Sequence, residues 1–269
     1  MNIGQIGAGF VGGALHRSLH KKGVTTKIYD KHQGVGSIDD VLSTDFLFLC
    51  LPTPFVEGYG FDLSALIENL KILNQKMYSG LVILKSTVEP GITEGLCGRF
   101  GNLIICHNPE FLTARTADQD FHNQSHIVFG YNSECPRTDV KVREISAFFK
   151  KHYPQAAVSL CSSGESESMK LFCNNFYAVK VQVFNEFYFL CQKKGIDFSV
   201  VKELMIKNDW INPMHTSVPG PDGSPSYGGA CFPKDTNALN HCMKTAGSPH
   251  KVLEACIDER DGMREFKLK

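Results

Sequence analysis

The sequence predicts an α/β protein: a doubly wound parallel sheet covered by helices, followed by a smaller helical domain. Residues 1–161 alternate short apolar or β-branched runs with helical patterns, which is typical of a parallel sheet buried on both faces. From residue 162 the pattern changes to one long apolar stripe at helical spacing. A chain of 269 residues corresponds to about two domains. We therefore predict domains at 1–161 and 162–269.

Seven runs in the first part have the length and composition of strands. They are residues 2–6, 24–29, 46–50, 81–84, 103–106, 126–129 and 157–160. The stripe that follows predicts a long helix ending near Gly195, and a second helix is expected at 198–206. A Pro/Gly-rich loop then covers 212–229, and a third helix follows Pro233. A loop of that length in a compact domain suggests a functional role.

Composition and charge exclude several classes of function. Lys plus Arg equals Asp plus Glu at 28 each, so no basic surplus favours nucleic acid or an anionic membrane. Apolar runs such as 46–51 are far shorter than the roughly 18 residues of a membrane span, and the N-terminus lacks a signal-peptide pattern. The ten cysteines are scattered without zinc spacing, so we predict reduced thiols, a cytoplasmic location and no metal site.

A glycine-rich segment, Gly7-Ala8-Gly9-Phe10-Val11-Gly12, follows the first predicted strand and opens a helix. In this Rossmann-type context, G-x-G-x-x-G holds a pyrophosphate on backbone N–H groups at a helix N-terminus. Asp30 ends the second strand, where a carboxylate binds the ribose hydroxyls of NAD and repels the extra phosphate of NADP. The segment therefore predicts NAD as cofactor. The positive charge of Lys31, directly after Asp30, slightly weakens the predicted preference for NAD over NADP.

Polar segments follow three further strands, at the edge where doubly wound sheets bind ligands. They contain Pro52 and Thr53, then Thr87 within 85–91, then Glu110 within 107–112. Each segment alone also fits an ordinary turn or helix cap. Their convergence on one edge favours a site.

Two segments of the second part carry chemical groups. Glu167, Lys170 and Asn174 share one face of the long helix, a spacing that by itself usually means a solvated ion pair. In 228–235, two glycines precede Cys231, and Lys234 and Asp235 follow at the start of a helix whose positive end favours a thiolate. Cys231 therefore has the setting of an activated nucleophile.

These motifs, in this order, resemble the UDP-glucose/GDP-mannose dehydrogenase family over essentially the whole chain, most specifically at Gly-Gly-x-Cys-x-Pro-Lys-Asp. The resemblance implies a Rossmann NAD domain, a helical middle domain and two NAD-dependent oxidations of a sugar-nucleotide alcohol to a carboxylate. It also implies that Cys231 holds the substrate as a thiohemiacetal and then a thioester. Lys170, Asn174, Asp235 and Thr87 would hold the reacting oxygens and water, and Glu110 would assist thioester hydrolysis.

The sequence departs from the family at three places. Ala114 stands where the family usually has a second Glu, and no Arg occurs near 208–211, where the family often has one. The resemblance also implies a third, C-terminal Rossmann-like domain that binds the nucleotide. Residues 253–260 resemble the start of the helix that leads to that domain, and we expect a short form without it. The nucleotide contacts would then come from the 214–227 loop or from a second subunit. We further expect a homodimer built on the helices of 165–194 and 249–260.

Two alternatives remain open. One is a two-electron β-hydroxyacid-type dehydrogenase, which has a similar plan and a helical Lys-x-x-x-Asn pair but needs no thiol. The other is a non-catalytic NAD-binding subunit that completes a separate partner.

Overall fold

The computed structural model describes residues 1–265, which divide into two compact units. The first unit comprises residues 1–54 and 61–170, and the second comprises residues 55–60 together with those from 171 onward. The change in sequence pattern near residue 161 coincides with the start of a long helix, and the two units divide further along that helix, after Lys170.

The first unit is built on a seven-stranded sheet. In chain order, the strands of the described residues are β1 (Ile3–Ile6), β2 (Thr26–Tyr29), β3 (Phe46–Leu49), β4 (Phe55–Val56), β5 (Gly60–Phe61), β6 (Leu81–Leu84), β7 (Ile104–His107), β8 (His126–Gly130) and β9 (Ala157–Cys161). The short strands β4 and β5 pair only with each other, and the other strands form the large sheet. All seven predicted strands are present, and none of their ends is shifted by more than two residues.

The order in the large sheet is β2-β1-β3-β6-β7-β8-β9. The pairs from β2 through to β7 are parallel, and so is β8 with β9, whereas β8 meets β7 in antiparallel orientation at His107 and Gly130. The chain leaves β1 toward β2 on one side and returns to β3 on the other. Doubly wound sheets bind ligands at such a switch point, outside the carboxyl ends of the strands.

Helices cover both faces of this sheet, as the sequence predicts. The helices are α1 (Phe10–Lys21), α2 (Ile38–Leu42), α3 (Ser64–Gln75), α4 (Ile92–Arg99), α5 (Ala117–His122) and α6 (Pro136–His152). Strand β3 explains the two layers, because its side chains alternate: Phe46 and Phe48 join a cluster with α1, α5 and α6, while Leu47 and Leu49 join one with α3 and α4. The continuous apolar strands therefore supply two cores.

The second unit is helical. It contains most of α7 (Ser163–Lys194), then α8 (Phe198–Ile206), α9 (Phe232–Thr245) and α10 (Lys251–Arg264). The predicted long helix and the predicted bounds of α8 are confirmed, and the third predicted helix begins at Phe232, directly before Pro233. Residues 207–231 contain no helix or strand, as expected of the long loop. None of the helices in residues 1–265 combines the length and apolar character needed to cross a membrane.

Candidate functional site

The residues singled out from the sequence form two groups, one in each unit. In the first unit, the segments that follow β1, β2, β3, β6 and β7 lie at the carboxyl ends of neighbouring strands. Hydrogen bonds connect these segments along the edge. Thr53 Oγ1 donates to Thr87 O over 2.7 Å, and Ser86 Oγ donates to Leu51 O over 2.6 Å. The convergence inferred from the sequence therefore occurs.

The glycine-rich segment has the backbone geometry that a dinucleotide site requires. Gly7 has φ +95°, and a Cβ at Gly12 would lie 2.0 Å from Gly7 O, so both positions exclude a side chain. A Cβ at Gly9 would meet nothing within 4 Å, which leaves space beside the turn. Gly9 is also the N-cap of α1, so no side chain caps the first N–H groups of that helix. Phe10 and Val11 begin α1, and such N–H groups favour a phosphate. These residues fit the NAD-binding role.

Asp30 has a structural role beside the one that the sequence suggested. Its Oδ2 accepts the Ala8 N–H over 2.7 Å, and its Oδ1 accepts those of His32 and Gln33 over 2.9 Å each. Burial would raise the pKa of Asp30, but the N–H groups of Ala8, Gln33 and His32 outweigh it and lower that pKa. The carboxylate is thus charged at neutral pH and is fixed to the glycine-rich turn. Lys31 forms an exposed ion pair with Glu68 at 3.0 Å.

Glu110 and Lys170 form a buried ion pair. Lys170 Nζ donates to Glu110 Oε1 over 3.1 Å and to Glu110 O over 2.5 Å, and the side chains are 4% and 7% exposed. Glu110 Oε2 accepts the Leu112 N–H over 2.6 Å. Burial would raise the pKa of Glu110, but the Lys170 charge, the Leu112 N–H and the Lys85 charge lower it. Glu110 is therefore ionised at neutral pH and oriented by two donors.

The structure corrects the interpretation that spacing alone favoured for the α7 face. Glu167 and Lys170 are both buried and bind different partners. The Glu167 carboxylate caps α4, accepting the Gly91 N–H over 2.6 Å and the Thr93 N–H over 2.7 Å. Burial raises the pKa of Glu167. Nothing in its spacing indicated this role, because the cap belongs to a helix far away in the sequence.

Lys85 is a buried cation to which the sequence assigned no role. It directly follows β6, and its Nζ donates to Asn108 Oδ1 over 2.9 Å and to Pro109 O over 3.2 Å. Burial lowers its pKa to about 8. A lysine placed directly after an apolar strand, at the ligand edge of a parallel sheet, was the signal available in the sequence.

In the second unit, Asp235 is the centre of a buried polar cluster. Its side chain is 1% exposed, and its two oxygens accept from different donors: Oδ2 from Asn174 Nδ2 over 2.6 Å, and Oδ1 from Lys234 Nζ over 2.5 Å. Asn175 Nδ2 donates to Asp235 O over 3.2 Å. A buried carboxylate requires such partners, and here an ammonium and an amide supply them.

Cys231 is the N-cap of α9, with Pro233 in the first turn, as its sequence context predicted. Cys231 is partly exposed, and its carbonyl accepts the Asp235 N–H over 3.0 Å. The thiol therefore begins the same helical turn that ends at the Asp235 cluster. The N-terminus of a helix carries a partial positive charge that stabilises a thiolate.

The two glycines before Cys231 have different physical reasons. Gly229 has φ +76°, which strains any other residue. A Cβ at Gly228 would lie 2.6 Å from Asp222 Oδ2 and 2.8 Å from Arg264 Nη2, so Gly228 makes room for that ion pair.

Hydrogen bonds from α7 and α10 hold the loop that leads to Cys231. Ser226 donates its N–H to Asn185 Oδ1 over 2.8 Å and its hydroxyl to Gln182 Oε1 over 2.5 Å. Arg260 Nε donates to Tyr227 O over 3.1 Å. The sequence did not indicate Gln182, Asn185 or Arg260. Their partners lie in an irregular loop, whose contacts no periodic pattern predicts.

The described residues, 1–265, contain no group of three or more His, Cys, Asp or Glu side chains that could hold a metal ion. The polar groups described above are of kinds that can take part in acid–base and nucleophilic chemistry: the buried Lys170–Glu110 pair, the Lys234–Asp235 pair with a partly exposed lysine, an amide and a thiol.

Two family models match the chain. Residues 35–150 match the NAD binding domain of the UDP-glucose/GDP-mannose dehydrogenase family, and residues 164–260 match its central domain. The glycine-rich segment and Asp30 precede the residues matched by the NAD-domain model. A role for them in binding NAD is therefore supported by their backbone geometry and hydrogen bonds.

The chain is also similar to relatives and solved structures that are UDP-glucose dehydrogenases. A UDP-glucose 6-dehydrogenase of Haloferax volcanii is 30% identical over 253 residues, which is 89% of this chain and 57% of that protein. A UDP-glucose dehydrogenase structure from Pyrobaculum islandicum has a TM-score of 0.82 at 23% identity, covering 97% of this chain and 68% of that one. The chain thus spans about half the length of the curated relatives that it matches.

A 3-hydroxyisobutyrate dehydrogenase structure from Mycobacterium tuberculosis also shares the fold. Its TM-score is 0.74 at 14% identity, covering 99% of this chain and 96% of that one. The fold alone therefore does not separate the two classes of dehydrogenase, and the distinction depends on site residues.

Proposed function

Because the chain belongs to the UDP-glucose/GDP-mannose dehydrogenase family, we propose that it oxidises the primary alcohol of a sugar nucleotide to a carboxylate with NAD. A UDP-linked hexose is the favoured substrate, since curated relatives that the chain resembles are UDP-glucose 6-dehydrogenases. The observation that carries the proposal is Cys231 at the N-cap of α9, one turn before an Asp235 carboxylate bound by Asn174 and Lys234. A two-electron alcohol dehydrogenase needs no such thiol.

In the proposed reaction, the glycine-rich turn of residues 7–12 and Asp30 would hold NAD, which would supply the hydride acceptor for each of two oxidations. Between them, the Cys231 thiolate adds to the aldehyde carbon and forms a thiohemiacetal, whose loss of hydride leaves a thioester. Water then displaces the Cys231 sulfur, giving the carboxylic acid, which ionises, and restoring the thiol. Each substrate therefore yields two NADH and consumes one water.

The buried groups supply the acid–base and electrostatic help. Asn174 and the Asp235 carboxylate hold the reacting oxygen or water. The hydrogen bond between the Asn174 amide and the Asp235 carboxylate fixes the orientation of both side chains. The Lys170 ammonium stabilises developing negative charge on oxygen. Glu110, ionised and held by two donors, accepts a hydrogen bond from the hydrolytic water, and Thr87 helps to position that water.

The test of the proposal is NADH formation with a panel of UDP- and GDP-linked sugars. We expect two NADH per substrate consumed and a carboxylate product. One NADH per substrate would place the chain among two-electron dehydrogenases. Tight NAD binding without turnover of any sugar nucleotide would favour a non-catalytic subunit.

We expect NAD to be preferred over NADP by on the order of a hundredfold in kcat/KM. The buried, charged Asp30 would face the extra phosphate, and such like-charge contacts cost several kcal/mol. Asp30→Asn should narrow the preference, because the amide is neutral. Lys31→Ala is the matched control and should leave it unchanged, since Lys31 already pairs with Glu68. Equal kcat/KM for both cofactors in the wild type would contradict the role of Asp30.

We also expect a homodimer that uses the exposed apolar residues of α7 and α10. Phe172, Phe176 and Leu190 on α7 are 54%, 66% and 56% exposed, and Val252 on α10 is 75% exposed. Light scattering should give the mass of two chains for the wild type, and Leu190→Glu should shift the measured mass toward that of one chain. Val140→Glu, an equally exposed apolar position on α6, should not. A monomeric wild type at micromolar concentration would contradict the expectation.

A cytoplasmic location stays a prediction from the cysteine spacing.

A further inference from the structure

Two lysines hold successive residues of the segment that carries Glu110. Lys170 contacts Glu110 itself, through both its carboxylate and its carbonyl. Lys85 contacts the two preceding residues, Asn108 and Pro109. Ammonium groups from two different elements, the end of β6 and the helix α7, therefore hydrogen-bond to this segment.

Asn108 extends the Lys85 contact into the sheet. While Asn108 Oδ1 accepts from Lys85, Asn108 Nδ2 donates to Val128 O over 2.6 Å, and the Asn108 N–H donates to Leu84 O over 2.8 Å. Lys85, Asn108 and β8 thus form one buried chain of hydrogen bonds. A break at Lys85 would leave the Asn108 and Pro109 oxygens buried without that donor, which costs more than the bond itself contributes.

Burying an ammonium group requires compensation, so its position needs a reason. Lys85 is 4% exposed and lies 5.4 Å from the centre of the Phe121 ring. The titratable groups that act on it are Cys50 after β3, Glu110, Lys170 on α7, Cys106 on β7 and His107 at the end of β7. Burial raises the pKa values of both thiols and lowers that of His107 to about 3, which leaves these three groups uncharged at neutral pH. Glu110 is therefore the one anion in this set.

We propose that Lys85 is a positioning residue for the hydrolytic step: it fixes the Asn108–Pro109 segment and gives the Glu110 carboxylate a second supporting charge. The proposal rests on the proposed function, because Glu110 has a task only if a thioester is hydrolysed. Lys85 acts through Glu110 and through the backbone that carries it.

The variants Lys85→Met and Lys85→Gln separate the two contributions. Met keeps the length of the side chain and removes both charge and donors, whereas Gln keeps a donor without charge. We expect steady-state turnover to fall on the order of tenfold in Lys85→Met, which corresponds to about 1.4 kcal/mol, and less in Lys85→Gln, since a hydrogen bond from a charged donor is stronger than one from a neutral donor. The first burst of NADH should stay fast in both, because the affected step follows thioester formation.

The pH profile distinguishes this role from simple loss of packing. The Lys85 charge lowers the pKa of Glu110, so its removal should shift the low-pH limb of turnover to higher pH in both variants. Lys141→Met is the matched control, because Lys141 also lies over a core phenylalanine ring, that of Phe46, but has Glu144 as its partner. Its profile should equal that of the wild type.

A measurement without substrate tests the buried charge separately. The pKa of Lys85 is lowered from 10.5 to about 8 on folding, so between these pH values the unfolded state binds more protons than the folded state. The free energy of unfolding of the wild type, relative to that of Lys85→Met, should therefore rise as the pH increases from about 8 to about 10.5. Below about pH 8, where Lys85 is charged in both states, the cost of burying its charge should lower the stability of the wild type by its full amount. A flat difference would overturn the buried-charge premise.

The outcomes separate the two proposals. A wild type that makes no NADH from any sugar nucleotide overturns the proposed function and, with it, the role of Lys85. An active wild type whose low-pH limb is unmoved in Lys85→Met and Lys85→Gln overturns the role of Lys85 alone. Slower turnover with a shifted limb and an unchanged burst supports both.

Discussion

Cys231→Ser is expected to lower overall turnover by several orders of magnitude while NAD binding is retained. A serine hydroxyl is far less ionised than a thiol near neutral pH, so it does not capture the aldehyde at a useful rate. The substitution changes one atom at the N-cap of α9 and leaves the Asp235 cluster with its donors. Turnover is measured as NADH formation, and NAD binding by calorimetry on the same preparation.

The chain offers a close control in Cys135. It is the N-cap of the 17-residue helix α6, with a proline at the first helical positions, and bonds to the Thr138 side chain and N–H lower the pKa of its thiol. Cys135→Ser therefore changes a thiol in a comparable helical position but outside the proposed chemistry. We expect full turnover from it. Equal activity in Cys231→Ser and the wild type would remove the thiol from the mechanism.

Glu110→Gln is expected to separate formation of the thioester from its hydrolysis. The amide keeps the shape of Glu110, but it loses the charge that orients water and pairs with Lys170. Two NADH per active site should form rapidly and further turnover should be slow, on the order of a hundredfold or more below the wild type. The acylated protein should then be visible by intact mass.

The location of the label makes this result specific. In Glu110→Gln the added mass should map to the peptide that contains Cys231, and the double variant with Cys231→Ser should carry none. A variant that turns over at the wild-type rate, or that slows without any labelled protein, would contradict a hydrolytic role for Glu110.

Much of the fold could be predicted from local patterns. Apolar runs of four to six residues predict the buried strands, because a strand between two helical layers needs apolar residues on both faces. The stripe through Phe176 and Leu190 predicts α7, and its spacing does not depend on what the stripe contacts. The glycine-rich turn is equally local, since Gly7 has φ +95° and a side chain at Gly12 would meet Gly7 O within the same turn. For the same reason, the sequence places Cys231 correctly at the N-terminus of α9.

The partners of the charged residues depended on the tertiary structure. Lys170 pairs with Glu110, which is 60 residues away, and the nearby Glu167 caps α4 instead. Asp30 binds the N–H of Ala8, and Gly228 is required by the Asp222–Arg264 pair. Local spacing tells which residues share a face of an element, whereas a buried ion is stabilised by whichever group the fold brings within hydrogen-bond distance. The amino-acid sequence alone thus determined the sheet, the long helix, the glycine-rich turn and the position of the thiol. Only the tertiary structure decided which acid meets which base, because those pairs form between elements whose distance in the sequence carries no periodic signal.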